Sequence, residues 1–314
     1  MKKLVSYLLP IFNEEKNINY LYETLIKLLD KELSYNFEII FINDGSNDDS
    51  LSLLYKLQER DGRIIVINFA RNFGHQIAIT AGLDLCKGDC AIIMDSDLQD
   101  PPSVSVELIK KWENGFDIVY AQRRSRKDSL FKKATANIFY LLISKITDID
   151  IPRNVSDFRL IDHKVIDTLK TFREHNRFLR GLVSYMGYKQ TAVPFDRDKR
   201  YAGKTGYPLK KMLKFAGDGI FGFSTLPLRL ISRVGYIISV LSFVGILYAL
   251  WVKLYNPKLV ISGWTFTIIA ILLVGGIQLI MLGVLGGYIG RIYTESQNRP
   301  LYWLESVHYP NDKQ

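Results

Sequence analysis

The sequence predicts an α/β fold with a mostly parallel sheet, followed by two membrane-spanning helices. Five short apolar runs recur about every 25 to 33 residues within the first 121 residues, with helical stretches between them. Two long stretches without any charge lie near the C-terminus. Strands that alternate with helices are typical of βαβ units and parallel sheets. Uncharged apolar stretches of about 18 residues or more are typical of membrane spans.

The five apolar runs are the predicted strands. They are Leu4–Leu9, Phe37–Ile42, Ile64–Ile67, Cys90–Met94 and Asp117–Ala121. Ligands of parallel α/β sheets bind outside the carboxyl ends of the strands. The residues that follow each run are therefore the candidate site, and they are unusually polar in this sequence.

The segment after the fourth run contains Asp95-x-Asp97, closely followed by Gln99 and Asp100. Hard divalent cations take oxygen ligands and often use only one or two carboxylates together with substrate phosphates. An isolated D-x-D pattern is often a solvated turn, but its position at a strand end followed by Pro-Pro favours a metal site. After the second run, Asp44 is expected either to accept hydrogen bonds from a nucleobase or ribose, or to cap the next helix together with Ser46.

Several classes of protein are excluded by missing motifs. No G-x-G-x-x-G follows the first predicted strand and no G-x-x-x-x-G-K-[ST] occurs, so a nicotinamide dehydrogenase and a P-loop NTPase both lack their phosphate-binding loops. The two cysteines, Cys86 and Cys90, form no disulfide framework and have no partners at zinc spacing. We expect both to be small core residues.

The positive charge is concentrated in the middle of the chain. The 41 basic and 32 acidic residues give a net charge of +9, divided as −6 over residues 1–100, +13 over 101–233 and +2 over 234–314. Anions are therefore expected near the middle segment. This segment precedes the apolar stretches and contains no recognised nucleic-acid module, so no nucleic-acid partner is expected.

The two apolar stretches predict a membrane protein. Val234–Trp251 and Trp264–Gly290 carry no charge, and tryptophan and tyrosine lie near their ends. Basic residues are enriched outside the connecting loop, which places both termini in the cytoplasm. Residues 207–233 interleave lysines with apolar side chains, as an interfacial amphipathic segment does. The glycine-rich face of the second stretch, including Gly283 and Gly287, makes a homo-oligomer a hypothesis.

Seven motifs and the membrane tail together resemble a known family. They are PIFNEE (10–15), NDGSNDDS (43–50), NFGHQ (72–76), DSDLQDPP (95–102), SDFRL (156–160), RFLRGL (177–182) and GGYIGRIYTESQNRP (286–300). The chain resembles the GT-A glycosyltransferases of family 2 that transfer a sugar to a polyprenyl phosphate, the GtrB-type glucosyltransferases and the dolichyl-phosphate mannose synthases. The resemblance covers nearly the whole chain.

The resemblance implies a donor site for a nucleotide sugar and a metal. Mg²⁺ or Mn²⁺ is expected at Asp95, Asp97 and Gln99, and Asp97 is also assigned to catalysis. The expected nucleotide-sugar residues are Pro10, Asn13, Glu15, Asp44, Asp95 and Ser96.

The resemblance also implies an acceptor site. Asp157 matches an acidic residue near the acceptor and is a candidate base or positioning group, unless it only pairs with a neighbouring arginine. A lipid phosphate is already largely anionic near pH 7, which limits the need for a base. Cations are required by both phosphates, and the expected ligands are Arg123, Arg124, Arg126, Arg200, Lys204 and Tyr207. The family usually has a small residue at the position of Gln122, before Arg123, and a serine at the position of Gly203, before Lys204.

The expected division is a GT-A domain over 1–206, an interfacial segment over 207–233, two spans at about 234–252 and 264–290, and a cytoplasmic tail over 291–314. The expected activity is inverting transfer of glucose from UDP-glucose to undecaprenyl phosphate at the inner membrane, which supplies a sugar-phosphate-lipid for cell-envelope glycosylation. UDP-GlcNAc, GDP-mannose or a UDP-aminoarabinose derivative is an alternative donor. A non-catalytic membrane scaffold is the alternative from another class. A processive polysaccharide synthase is disfavoured because Q-x-x-R-W is missing and two spans do not readily enclose a polymer.

Overall fold

A computed structural model describes residues 2–124, 155–196, 226–255 and 263–310 of the chain. Its strands are β1 (Leu4–Ile11), β2 (Asn36–Asn43), β3 (Ile64–Phe69), β4 (Cys90–Ile93), β5 (Ile118–Arg123), β6 (Val155–Asp162), β7 (Gln190–Phe195) and β8 (Leu304–His308). Its helices are α1 (Ile18–Leu29), α2 (Ser50–Arg60), α3 (His75–Leu85), α4 (Val104–Glu113), α5 (His163–Thr171), α6 (Leu179–Tyr185), α7 (Leu226–Tyr255) and α8 (Trp264–Ser296). The five predicted strands correspond to β1–β5, with end points that differ by up to two residues.

The eight strands form one mixed sheet in the order β7-β5-β6-β4-β1-β2-β3-β8. The centre, β4-β1-β2-β3, is parallel throughout, as the βαβ rhythm predicts. β6 is antiparallel to both β4 and β5, and β8 is antiparallel to β3. The first residues of β6 and β8 therefore lie at the same edge of the sheet as the last residues of the parallel strands.

Both faces of the sheet are covered, so the central strands are apolar along their whole length. Val5, Tyr7 and Leu9 of β1 belong to one buried cluster, which α1, α2 and α4 complete. Leu8 belongs to the other cluster, on the face covered by α3, α5 and α6. This alternation along β1 is the two-residue period of a strand.

The two cysteines lie in this core, as predicted. Cys86 and Cys90 are free thiols, and both are buried. Burial raises the pKa of the Cys86 thiol to about 12 and that of Cys90 well above its usual value. Both are therefore inert core residues at neutral pH.

The two predicted spans correspond to α7 and α8, and both helices are longer than expected. α7 begins at Leu226, inside the predicted interfacial segment, whose residues 207–225 lie outside the described parts of the chain. α8 ends at Ser296 rather than Gly290. Both helices are long and apolar enough to cross a membrane by length and composition.

The chain after α8 rejoins the sheet. β8 pairs with β3 through Val66 and His308, Ile67 and Val307, and Asn68 and Ser306. The sequence predicts a cytoplasmic tail over 291–314, and within it the structure adds the strand β8, because the open edge of β3 offers backbone hydrogen bonds that β8 takes. The sheet therefore includes residues from both sides of the long helices.

Candidate active site

The loops that follow β1 and β2 are joined to each other by hydrogen bonds. We call them the paired loops, residues 12–15 and 44–50. The Asn13 N–H donates to Ser46 Oγ at 3.0 Å, and the Asn47 N–H donates to Asn13 Oδ1 at 2.8 Å. The Glu15 carboxylate accepts from the Asp49 N–H at 3.3 Å. The predicted nucleotide-binding side chains of Asn13 and Glu15 therefore hold the neighbouring loop in place.

Pro10 lies within β1 rather than in the loop that follows it. It is buried and stands opposite Ile42 in the register of β1 with β2. It occupies the carboxyl end of the strand, directly before the paired loops, so its part in the site is to direct the chain into them.

Asp44 binds a third loop instead of capping the helix after β2. Its carboxylate accepts from the backbone N–H of Phe73 at 2.7 Å, from that of Gly74 at 3.0 Å, and from Asn72 Nδ2 at 3.0 Å. The residue is only 3% exposed, and burial raises its pKa although these hydrogen bonds oppose the shift. The expected cap with Ser46 is not formed. Both carboxylate oxygens are already used within the protein, which favours a positioning role over direct contact with a nucleotide.

Gly45 allows the loop after β2 to approach the loop after β3. Its φ is +66°, a conformation that L side chains rarely adopt. A Cβ atom at this position would lie 2.5 Å from the backbone carbonyl carbon of Arg71 and from the backbone nitrogen of Asn72. Glycine is therefore required here for two independent reasons.

Asp95 and Asp97 follow β4 at the same edge. Asp97 accepts from the Gln99 N–H at 3.1 Å, which closes a tight turn around Leu98, whose φ is +56°. Ser96 is buried within this turn. Asp95 Oδ1 is buried and has no hydrogen-bond partner among the described residues. Burial raises the pKa of Asp95, and the charges of Asp157 and Asp97 add to that shift.

His75, at the start of α3, lies between two carboxylates. Its Nε2 atom is 3.4 Å from Asp95 Oδ1 and 3.5 Å from Asp157 Oδ2. Burial disfavours the imidazolium, but the hydrogen bond with Asp157 and the charges of both carboxylates outweigh burial and raise the pKa of His75 to about 9. His75 therefore carries a positive charge at neutral pH.

Asp157 is surrounded by cations. Arg180 Nε donates to Asp157 Oδ1 at 2.8 Å, and Arg159 Nη2 lies 3.8 Å from the same oxygen. Gln76 Nε2 donates to Oδ2 at 3.4 Å. Burial would raise the pKa of Asp157, but Arg180, His75 and Arg159 together hold it well below its usual range.

We call Asp95, His75, Asp157, Arg159 and Arg180 the charge cluster. A carboxylate with a strongly lowered pKa is a poor proton acceptor at neutral pH. The candidate-base role of Asp157 is therefore not favoured by its surroundings. The alternative from the sequence, that Asp157 pairs with nearby arginines, agrees with the observed contacts.

Two of the six predicted phosphate ligands, Arg123 and Arg124, lie among the described residues, and their surroundings differ. Arg123 Nη2, at the end of β5, lies 3.7 Å from Asp100 Oδ1, and Asp100 is 2% exposed. Arg124 is largely exposed and lies 3.4 Å from the exposed carboxylate of Asp196. Of the two predicted ligands that the structure describes, only Arg123 is therefore held beside the D-x-D turn. The remaining four residues lie outside the described residues, namely Arg126, Arg200, Lys204 and Tyr207.

The residues present fit a divalent cation that substrate oxygens help to hold. Among the described residues, no group of three or more His, Cys, Asp or Glu side chains is arranged to bind a metal unaided. Asp95 nevertheless presents a buried carboxylate oxygen without a hydrogen-bond partner, and Asp97 follows it in the same turn. One or two carboxylates completed by phosphate oxygens are a usual ligand set for Mg²⁺.

Four side chains of the site were not assigned from the sequence. His75, Gln76, Arg159 and Arg180 all contact Asp157. The motifs that contain these residues are visible in the sequence. Their contacts are not, because His75 and Gln76 lie 81 or more positions from Asp157 along the chain. The position of His75 at a strand-to-helix loop on the carboxyl edge is the one signal that points to it.

Comparison with known proteins identifies relatives along the whole chain. Residues 6–170 match the model of the family described as glycosyl transferase family 2. The chain is 48% identical to the uncharacterized glycosyltransferase YkcC of Bacillus subtilis, over 96% of this chain and 93% of that protein. It is 40% identical to the bactoprenol glucosyl transferase of Shigella phage SfII, over 98% of this chain and 99% of that protein.

The solved structures to which the chain is similar are more distant in sequence. Glucosyl-3-phosphoglycerate synthase from Mycobacterium tuberculosis aligns with a TM-score of 0.46 and 18% identity, over 70% of this chain and 78% of that chain.

Proposed function

The chain belongs to glycosyl transferase family 2 and is a glycosyltransferase, and we propose that it transfers a sugar from a nucleotide sugar to the phosphate of a polyprenyl phosphate. The product is a sugar-phosphate-lipid that serves cell-envelope glycosylation. The observation that carries the proposal is the charge cluster beside the D-x-D turn, in a chain that is similar to a bactoprenol glucosyl transferase over 98% of its length.

The donor's diphosphate is assigned to the D-x-D turn. Asp95 and Asp97, with Gln99 as a further oxygen ligand, would hold Mg²⁺ or Mn²⁺. An ion held there would supply positive charge opposite the charge that develops on the diphosphate. Arg123, held beside Asp100, adds a fixed positive charge at the same edge.

The acceptor phosphate needs orientation and charge balance more than a base. A phosphate monoester is largely ionised near pH 7, so its oxygen can attack the anomeric carbon without giving up a proton. Asp157, whose pKa is well below its usual range, keeps Arg180 and His75 in place. Attack from the face opposite the departing diphosphate inverts the anomeric configuration.

The acceptor is a lipid, so the protein is assigned to the inner membrane with its active site and both termini in the cytoplasm. α7 and α8 support this assignment, because apolar side chains such as Leu241 and Leu279 are 66% and 71% exposed along them. Exposed apolar surface of this extent is stable in hydrocarbon and costly in water.

Glucose from UDP-glucose is the proposed donor. Support comes from the bactoprenol glucosyl transferases of Shigella phages, which are 40% identical to this chain. UDP-GlcNAc, GDP-mannose and a UDP-aminoarabinose derivative are the alternatives, because hydroxyl recognition depends on individual pocket contacts.

The test is transfer of radiolabelled sugar from each of these donors to undecaprenyl phosphate in detergent, with Mn²⁺ or with EDTA. We expect one sugar to enter the lipid fraction with Mn²⁺, and EDTA or Asp97→Ala to abolish the transfer. Asp167→Ala is the matched control, because Asp167 is an exposed carboxylate on α5 that pairs with Lys170. Transfer of a sugar other than glucose would correct the donor. No transfer from any donor by folded protein would contradict the enzymatic proposal and favour a membrane scaffold.

A further inference from the structure

The segment that follows α8 is fixed to the catalytic domain near the end of the helix. His175 donates its backbone N–H to Glu295 Oε1 at 2.9 Å, and its Nδ1 atom lies 3.0 Å from Glu295 Oε2. The other ring nitrogen, Nε2, lies 2.8 Å from the Arg299 carbonyl oxygen. The chain thus leaves α8 in a defined direction towards the sheet.

A second anchor lies between this segment and β3. The ring of Tyr302 stacks on that of Phe69, with centroids 5.3 Å apart and an interplanar angle of 14°. Its hydroxyl donates to Asp84 Oδ2 at 2.9 Å, and Arg173 binds the same oxygen at 2.7 Å. The segment therefore reaches β8 through two fixed points on the catalytic domain.

A line of hydrogen bonds leads from β8 to the paired loops. Asn68 Nδ2 donates to Glu305 Oε2 at 2.8 Å, and Asn43 Nδ2 donates to Asn68 Oδ1 at 2.8 Å. Asn43 Oδ1 in turn accepts from the Ser46 N–H at 3.4 Å, and Ser46 Oγ accepts from the Asn13 N–H. Asn43 and Asn68 are 1% and 4% exposed, so water does not readily replace the hydrogen bond between them, whereas Glu305 itself is exposed.

Glu305 determines which amide groups donate and which accept along this line of hydrogen bonds. An ionised carboxylate can only accept hydrogen bonds, so Asn68 must turn its NH₂ group towards Glu305 and its oxygen towards Asn43. Asn43 must then donate to Asn68, which leaves its own oxygen for the Ser46 N–H. Without Glu305, the Asn68 amide is free to turn over, and its NH₂ group would then oppose that of Asn43.

We propose that Glu305 is a positioning residue for the nucleotide-sugar site, acting through Asn68 and Asn43 on the paired loops. This inference rests on the proposed function, which assigns the nucleotide to those loops. The donor site is then complete only when the chain beyond α8 has docked on the sheet. The end of α8 and the paired loops are thereby structurally coupled.

The first measurement is hydrogen exchange of the paired loops in protein without nucleotide, in the full chain in detergent. For Glu305→Ala we expect faster exchange of the backbone N–H groups of residues 13–15 and 46–50, by about threefold to tenfold, because one charged hydrogen bond is lost. Glu305→Gln keeps an accepting oxygen but can also donate, so it is expected to restore only part of the protection. Ser306→Ala is the matched control, since Ser306 contacts Tyr55 and lies outside the line.

The second measurement is steady-state transfer with UDP-glucose as the probe. Glu305→Ala is expected to raise KM for UDP-glucose by about threefold to tenfold and to change kcat by less than about twofold. A purely structural role predicts a lower Tm with unchanged KM for the folded fraction.

Unchanged exchange in the paired loops of Glu305→Ala would overturn the proposal, whatever nucleotide the protein uses. An equal effect of Ser306→Ala would also overturn it, because any change in β8 would then suffice. Wild-type protein that transfers no sugar contradicts the proposed function alone, and the exchange rates still decide the role of Glu305.

Discussion

The paired loops and the charge cluster lie at the same edge of the sheet but use their polar groups in opposite ways. In the paired loops, Asn13, Glu15 and Ser46 bind neighbouring backbone groups. In the charge cluster, the buried Asp95 Oδ1 accepts no hydrogen bond from the described residues and lies 3.4 Å from the His75 ring nitrogen. The first region is thus built as a rigid surface, whereas the second keeps an oxygen available to a ligand.

The two carboxylates of the charge cluster extend this contrast. The pKa of Asp95 is raised, because burial and the neighbouring carboxylates disfavour its charge. The pKa of Asp157 is lowered, because Arg180, His75 and Arg159 outweigh the effect of burial. Asp157 therefore stabilises the protein in its charged form, whereas charged Asp95 costs stability that a bound cation would restore.

Replacing Asp157 by asparagine is expected to have the largest effect on stability. It leaves Arg159 and Arg180 close together without their carboxylate, and removing one partner of a buried ion pair costs about 3–5 kcal/mol. The lowered pKa means that the stabilisation is present above the unfolded value of about 3.9 and is lost as the pH falls through the lower folded value. Urea unfolding at pH 7 and at about pH 3, below the unfolded value, measures the effect, and the difference from wild type should be smaller at the lower pH.

Asp196→Asn is the control for that experiment, because Asp196 pairs with Arg124 on the exposed surface. An exposed pair contributes about 0–1 kcal/mol. Equal destabilisation by the two variants would contradict the assignment of Asp157 to a buried, stabilising ion pair.

Replacing Asp95 by asparagine is expected to lower the transfer activity without lowering the stability. Transfer should fall by at least about a hundredfold, because the diphosphate and its cation lose a carboxylate ligand. Tm in EDTA should stay equal to that of the wild type or rise, since the amide removes a charge that burial disfavours. Scanning calorimetry together with the transfer assay measures both, with Asp167→Asn as the exposed control. A clear fall in Tm would show that Asp95, like Asp157, stabilises the protein in its charged form.

Local sequence patterns were sufficient for the core of the fold and for the edge of the sheet at which the candidate site residues lie. The strands β1–β5 follow from apolar runs at a regular interval, and the carboxyl-edge rule then places Asp95 and Asp97. The strands β6, β7 and β8 were not predicted. Each pairs with a strand distant in the sequence, and pairing of that kind depends on which edge or gap the rest of the sheet leaves open.

The charge cluster shows why the site was predicted only in part. The sequence indicates that Asp157 matters, but its chemistry depends on Arg180, His75 and Gln76, which reach it from two separate helices. A pKa depends on such neighbours and not on the residue type alone. The sequence therefore identifies Asp157 as a residue of the site, but it does not determine whether Asp157 can act as a base.

The close approach of the loop after β2 to the loop after β3 can be tested by adding a single Cβ atom. Gly45→Ala adds a Cβ atom within 2.5 Å of the backbone at Arg71 and Asn72, at a φ of +66°. We expect a loss of about 2–3 kcal/mol in stability and weaker nucleotide binding. Gly62→Ala is the matched control, because a Cβ there meets nothing within 4 Å. Urea unfolding and UDP titration measure the two effects, and similar results for both variants would contradict the close approach of the two loops.

The smallest effect is expected from Ser46→Ala, which removes the hydroxyl that accepts from the Asn13 N–H. One hydrogen bond contributes about 1 kcal/mol, and we expect that loss in the free energy of unfolding with a KM for UDP-glucose raised about fivefold or less. Ser52→Ala is the control, since the Ser52 hydroxyl donates to the Asp49 carbonyl oxygen at the start of its own helix. A loss of kcat as large as that of Asp95→Asn would mean that Ser46 touches the reacting groups, and the division between a rigid loop surface and a ligand-binding cluster would then have to be withdrawn.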